Sequence, residues 1–280
     1  RVMATYRARV RARNHVAAFI KSFYRRSDMS MLELTPDFIK EFAAYLSTEA
    51  GLRNGSIWAN CMWLKGVVMK AHYNGLIPRN PFIQFHISPN VKEREYLTED
   101  ELKAVMTHEF ADSKLAYIRD IFIFASFTAL SFVDIQELTN DNIVEVNGEK
   151  WILSKRHKTK VAFQVKLLDI PLQIVERYRP MQKDNRIFPG LNYWSICKPL
   201  KRMIRECGIT KSISFHCSRH GFATLALSKG MPIESVSRVL GHTNIVTTQL
   251  YAKITTQKLD NDLTMFGDKL SKTFNGITMS

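Results

Sequence analysis

Residues 77–96, IPRNPFIQFHISPNVKEREY, carry three prolines, show no regular apolar period and end in a run of charges. Proline fixes φ and removes a backbone donor, so neither a helix nor an inner strand runs smoothly through such a stretch. The chain has 280 residues, more than one hydrophobic core usually serves. The expected organisation is therefore a first domain over 1–88, a linker at 89–96, and a second domain over 97–280 with a tail from about 254.

Upstream of the prolines the apolar period is helical throughout. VRARNHVAAFIKSFYRR, TPDFIKEFAAYLSTEAG and SIWANCMWLKGVVMKAHYNG read as three helices, the second opened by Thr35 as N-cap and Pro36 at its first turn. Arg7, Arg9, Arg11, Arg13, Lys21, Arg25 and Arg26 make the first of them strongly basic. Downstream, Thr98 and Glu101 form a capping box for the next helix, followed by the apolar LAYIRDIFIFASFTAL and the short SFVDIQEL. The period then changes from 3.6 to 2. NIVEV-NG-EKWILS reads as a hairpin with an Asn147-Gly148 turn, and RHKTK turns the chain into a third strand, VAFQV. Helices near 172–180, 193–207, 217–229, 232–240 and 244–253 follow, with Gly208, Gly230 and Gly241 as stops and Thr243 as an N-cap. The fold class is mainly α with a small antiparallel β-sheet (α+β).

Forty Lys and Arg against 26 Asp and Glu give a formal charge of +14, which favours a polyanionic partner. The longest apolar run, 115–130, is broken by Arg119 and Asp120 and is too short to cross a bilayer, so no membrane partner is expected. Cys61, Cys197, Cys207 and Cys217 are scattered with no C-x-x-C pair, which fits reduced thiols in a cytoplasmic setting rather than a disulfide framework. A start at Arg1 rather than Met, with no signal-peptide pattern, suggests that an upstream segment is missing.

Two histidines and an arginine fall together in FHCSRHG, residues 215–221. His216 and His220 share a helical face, as zinc ligands do, but Cys217, Ser218 and Arg219 lie between them and a guanidinium there would repel a divalent cation. No metal and no cofactor is expected. An anion suits the cluster better. His216 and Arg219 sit at i and i+3 on a helix start whose free N–H groups attract negative charge, and arginine can grip two phosphoryl oxygens. Further on, LGHTNIVTTQLY places His242 after a glycine stop and Tyr251 nine residues beyond it.

The order H-x-x-R, then Gly-His, then Tyr resembles the catalytic half of the tyrosine recombinase, or phage-type integrase, family. The resemblance runs over about 96–260 and is densest in HCSRHGFATLALSKGMPIESVSRVLGHTNIVTTQLYAKI. It implies a helical core-binding domain followed by a tyrosine-recombinase catalytic domain. It also implies a site-specific recombinase of a mobile element, which cuts and rejoins DNA through a 3′-phosphotyrosyl intermediate without metal or ATP. Tyr251 would be the nucleophile. Arg219, His216 and His242 would surround the scissile phosphate, and Lys158 in HKTK would protonate the leaving oxygen, with Lys155 and Lys160 as competing candidates. His220 would be a structural neighbour.

One position departs from the family. Where it reads T-G-L-R with an acidic residue three places on, this chain has TALS followed by Asp134, so Ser131 stands in place of an arginine. Serine donates one hydrogen bond but no charge. Either the chain is a catalytically impaired DNA-binding relative, or another cation fills the space, as in the branch of conjugative and mobilisable transposon integrases that carries serine here. Arg119 and Arg156 are the candidates, although Arg119 lies twelve residues upstream on the same helix, roughly 18 Å away. The partners implied are double-stranded DNA, three further copies in a homotetramer on paired sites, and accessory DNA-bending proteins, in a nucleoid-associated bacterial setting. Leu259, Leu263, Phe266 and Leu270 give the tail an apolar face that could dock on a neighbouring copy or on its own domain.

Overall fold

The computed structural model describes residues 2–89, 95–157, 160–182, 184–251 and 256–273. The chain forms two compact units, Arg1–Glu93 and Arg94–Ser280.

The first unit is built from α1 (Val2–Phe23), α2 (Pro36–Thr48) and α3 (Asn54–Tyr73). Phe19, Phe38, Ile39, Phe42, Leu46, Ile57, Cys61, Leu64 and Val68 fill its interior, with Phe19 against Phe38 edge to face at 5.2 Å. Thr35 precedes α2 in extended conformation as expected, but its side chain makes no capping bond, and Pro36 removes one of the donors that would need it. α1 stops at Phe23 rather than continuing through Arg26, because Arg25 turns left-handed at φ 57°. The first part of the proline-rich segment packs within the first unit. Ile77 and Phe82 are buried in the first core, Phe85 and Ile87 pack on it, and Lys65 Nζ donates to the Phe85 carbonyl at 2.8 Å. Proline denies this stretch regular structure, but its apolar residues still have to leave water. The arginines of α1, Arg7, Arg9, Arg11 and Arg13, all remain exposed.

The second unit opens with α4 (Glu99–Thr107), whose start is fixed by the Thr98–Glu101 capping box, and continues into α5 (Ser113–Thr128). The chain is fastened to this unit from its first described residues. The Ser212 amide donates to Glu95 Oε2, Lys211 Nζ donates to the Tyr96 carbonyl, and Leu97 is buried. α5 is the central helix and is buried almost all round, which explains its unbroken apolar run. After it come α6 (Phe132–Gln136), β1 (Ile143–Val146), β2 (Glu149–Lys155) and β3 (Ala162–Lys166).

The strands form one antiparallel sheet in the order β1-β2-β3, with Val146 opposite Glu149 and Lys155 opposite Ala162. Asn147 and Gly148 both take positive φ, the type I′ geometry that matches strand twist. Ile152, Phe163 and Val165 face the core. Then follow α7 (Asp169–Tyr178), α8 (Tyr193–Glu206), α9 (His216–Ser228), α10 (Ile233–Leu240), α11 (Val246–Gln249) and α12 (Thr256–Thr273). Helices α4, α7, α8 and α9 pack on α5, while α10 packs on α9 and β3. Gly208, Gly230 and Gly241 all have positive φ at helix ends. Thr243 does not cap α11; Asn244 does the equivalent work, its side chain accepting from the Val246 amide at 2.9 Å. Among the described residues, no helix is long and apolar enough to cross a membrane.

Candidate active site

The site is assembled where the C-terminal end of α5, the N-terminal end of α9 and the last turn of α10 meet. α5 ends at Ala129, which adopts φ 56° and is fully buried. A left-handed alanine costs about 1–2 kcal/mol relative to glycine at such a position. The turn leaves the Ala129 carbonyl to receive Arg219 Nη1 at 2.8 Å, while Arg219 Nη2 donates to the Leu240 carbonyl. Arg219, in the first turn of α9, is only 9% exposed. Burial, and secondly the positive charge of Arg156, bring its pKa down to about 10, so it remains a cation at neutral pH.

Arg156 follows β2 and reaches across to the same place. The turn that carries it is closed by bonds from the Arg156 amide to the Val161 carbonyl and from the Lys160 amide to the Arg156 carbonyl, each 2.8 Å. Its guanidinium lies 4.0 Å from the centre of the Phe163 ring, donates through Nη1 to Asp134 Oδ2 at 2.8 Å, and donates through Nη2 to the Val239 carbonyl. Arg156 and Arg219 thus hold successive carbonyls at the end of α10. A side chain at Gly241 would place its Cβ 2.9 Å from Arg156 Nε, and Gly241 also needs φ 63° to end the helix. Both requirements select glycine.

Asp134 organises this corner. It is 8% exposed, and it accepts from Ser131 Oγ at 2.8 Å, from the His157 amide at 3.0 Å and from Arg156. Burial disfavours its charge, but the His157 amide, Arg156 and Ser131 together outweigh that and hold the carboxyl below its ordinary range. Ser131 itself caps α6 in a capping box with Asp134. The S-x-x-D spacing in the sequence signals that cap; the pairing with Arg156, 22 residues away, has no local signal. Half-exposed His157 adds a second tie, its Nδ1 lying 2.8 Å from Glu137 Oε2.

His242 follows Gly241, and its Nδ1 lies 2.9 Å from the hydroxyl of buried Thr248. Desolvation, then the charges of Arg219 and Arg156, lower its pKa to about 4, so the ring is neutral near pH 7. Tyr251 lies just beyond α11, with its amide bonded to the Thr248 carbonyl at 3.0 Å. Its ring lies nearly parallel to His242 at 6.5 Å and is closer to His220, at 4.9 Å. His216 opens α9, exposed, with its ring 4.9 Å from His220. Behind these groups Ala129, Ala223, Leu227, Val236 and Leu240 form a separate small core that backs Tyr251.

Of the residues singled out in the sequence, Arg219, His216, His242, Tyr251, Ser131 and Arg156 come together here. Lys158 lies outside the described residues. Lys155, the last residue of β2, and Lys160, at φ 59°, are both exposed. Arg119 is not brought to the site. Its Nε binds Asp120 at 2.8 Å and its Nη1 donates to the His108 carbonyl, while Arg177 and the Tyr178 hydroxyl complete the cage around that buried carboxylate. Among the described residues, no three His, Cys, Asp or Glu side chains cluster as a metal site would require.

The profile of the phage integrase family matches residues 95–258, and that of the phage integrase SAM-like domain matches residues 1–87. Tyrosine recombinase XerA of Pyrococcus horikoshii is 32% identical over 177 residues, which cover 58% of this chain and 58% of that protein. Tyrosine recombinase XerC of Lactobacillus leichmannii is 25% identical over 229 residues, 76% of this chain and 77% of the relative. Among solved structures, the Tn1549 transposon integrase in complex with a circular intermediate DNA superposes with a TM-score of 0.75 at 18% identity, over 90% of this chain and 92% of that one. A lambda integrase dimer bound to a COC′ core site gives 0.69 at 17% identity, over 89% and 87%. At these identities the structural likenesses establish the fold.

Proposed function

The chain belongs to the phage integrase family, and from that premise we propose that it is a site-specific DNA recombinase of a mobile element that cuts and rejoins strands through a 3′-phosphotyrosyl intermediate. The observation that carries this reading is the convergence of two buried arginines, a neutral histidine and a tyrosine at one corner of the second unit. The Tyr251 oxygen attacks the phosphorus, the bond to the 5′-oxygen breaks, and Lys158 protonates that departing oxygen to give the 5′-hydroxyl. Negative charge spreading over the phosphoryl oxygens meets Arg219 and Arg156, whose charges are fixed before the reaction begins. His242, neutral, donates a hydrogen bond, and His216 receives the proton lost by the phenol. The phosphotyrosyl link keeps the energy of the broken bond, so rejoining needs no nucleotide cofactor.

Arg156 supplies the charge that Ser131 lacks. Asp134, the acidic residue three places after that position, takes its guanidinium from the β2–β3 turn instead of from residue 131. This favours an active enzyme over the impaired DNA-binding alternative. The exposed arginines of α1 and the charge of +14 suit a double-stranded DNA partner held largely through phosphates. The outward Leu259, Leu263, Phe266 and Leu270 of α12 support docking between copies, in a homotetramer on two DNA sites, with accessory DNA-bending proteins and a nucleoid-associated cytoplasmic location completing the reading.

A nicked duplex that traps the covalent intermediate tests it. The protein should form a denaturation-resistant adduct in the presence of EDTA, and Tyr251→Phe should form none. Absence of an adduct with the unaltered chain, or its persistence in Tyr251→Phe, would overturn the assignment.

A further inference from the structure

Val246, Thr247 and Gln249 of the short helix α11 are exposed, while Thr248 between them is fully buried. A buried hydroxyl has to place its hydrogen on an acceptor. Among the described residues, the hydrogen-bond partner of the Thr248 hydroxyl is His242 Nδ1, 2.9 Å away and six residues back along the chain. The Thr248 carbonyl accepts from the Tyr251 amide at 3.0 Å. One residue therefore holds the histidine by its side chain and the tyrosine by its main chain.

We infer that Thr248 is a positioning residue whose hydroxyl donates to His242 Nδ1, so that the ring carries its hydrogen on Nε2 and presents Nε2–H to the scissile phosphate. The inference rests on the strand-transfer function proposed above and deepens it by naming what orients one of the groups around the phosphate.

A neutral imidazole has one N–H and one lone-pair nitrogen, so its value as a donor depends on which nitrogen holds the hydrogen. His242 is in that state at pH 7, because burial, then the charges of Arg219, Arg156 and His216, bring its pKa down to about 4. Were the hydrogen on Nδ1, that nitrogen would donate to Thr248 Oγ1. The hydroxyl hydrogen would then be buried without an acceptor, an expensive arrangement. With the hydrogen on Nε2 both groups are satisfied: the hydroxyl donates and Nδ1 accepts. The opposite tautomer would also offer a lone pair, not an N–H, to the phosphoryl oxygens. Packing alone does not call for the hydroxyl, since valine has nearly the same shape and no polar atom to bury.

The test uses the full chain, a nicked suicide duplex in single turnover, and nitrogen-15 NMR of the histidine rings at pH 7. The His242 signals are those lost in His242→Phe. In the unaltered protein and in Thr248→Ser the hydrogen should sit on Nε2, and the serine variant, which keeps the hydroxyl, should cleave within about threefold of the unaltered rate. Thr248→Val should bind DNA as the unaltered chain does, show both tautomers, and cleave at least about tenfold more slowly, the scale of a lost orienting hydrogen bond. In a His242→Phe background the same valine change should alter cleavage by less than about twofold, because no imidazole is left to orient. Hydrogen on Nδ1 in the unaltered protein would overturn the inference. So would cleavage by Thr248→Val within threefold of the unaltered protein, or a slowing of equal size with and without the imidazole, which marks a displaced Tyr251. If Thr248→Val does not fold, the tautomer in the unaltered protein and in Thr248→Ser decides the matter. Failure of the unaltered chain to form any adduct would instead refute the function on which the inference rests, and the ring spectra would still decide the tautomer.

Discussion

Replacing Asp134 by asparagine changes few atoms but removes the charge to which Arg156 is paired. Both side chains are more than 90% buried, so solvent does little to screen the pair. One oxygen of the carboxylate accepts from the His157 amide at 3.0 Å and the other from Ser131 Oγ and Arg156 Nη1, each at 2.8 Å. Whichever way an asparagine amide turns, its NH2 group meets a donor, and the guanidinium is left buried and uncompensated. Breaking a buried pair from one side costs about 3–5 kcal/mol, a large part of the 5–15 kcal/mol that typically holds a domain together. Removing both partners is milder, because the uncompensated charge goes too. Asp134→Asn with Arg156→Met should therefore recover about 2 kcal/mol or more of the loss. Urea unfolding of the full chain, followed by far-ultraviolet circular dichroism, measures both. A single-variant cost below about 1 kcal/mol, or a double variant as unstable as the sum of the singles, would refute the view that this pair holds the corner. The pH dependence has a definite sign. The folded pKa of Asp134 is lowered, so its stabilisation is present above the unfolded value near 3.9 and disappears as pH falls through the depressed folded value.

His242 should also leave a signature in acid. Its folded pKa of about 4 lies below the unfolded value near 6.5, so the unfolded chain binds the proton first and stability falls as pH drops from 6.5 toward 4. Thermal unfolding of His242→Gln should show a shallower loss over that window, and identical slopes would contradict the assignment. The two candidate cations separate by rate and stability. Arg156→Met should slow single-turnover cleavage by about 10²–10³, the scale of a lost transition-state donor. Arg119→Met should lower the melting temperature, because the Asp120 cage loses a charged hydrogen bond, yet cleave within twofold of the unaltered protein. The opposite pattern would return the compensating role to Arg119.

Where order is decided over a few residues, the sequence was legible. The Thr98–Glu101 box, the Asn147-Gly148 turn and the glycine stops at 208, 230 and 241 depend on hydrogen bonds and φ values within one or two turns of chain, and each occurs where the pattern places it. Local rules misled where a neighbour in space decided. No local rule shows that Phe82 enters the first core, and Thr243 looks like a cap until Asn244 takes the place. The site shows the same division. Motif spacing singled out Arg219, His216, His242 and Tyr251 as candidates, which the fold brings together, and it flagged Ser131 as a missing charge. It offered Arg119 and Arg156 as replacements without deciding between them, because helical rise measures distance along one element and says nothing of a turn folding over from another. The tertiary structure directs Arg119 to Asp120 and Arg156 to Asp134, which supports the proposal of Arg156. It also set His220 against Tyr251 across 31 residues of sequence, a contact made by the packing of α9 near the end of α11. Capping and turn geometry are short-range and written into adjacent residues, whereas the direction of a buried charge is fixed by which carboxylate the fold brings within 3 Å of it.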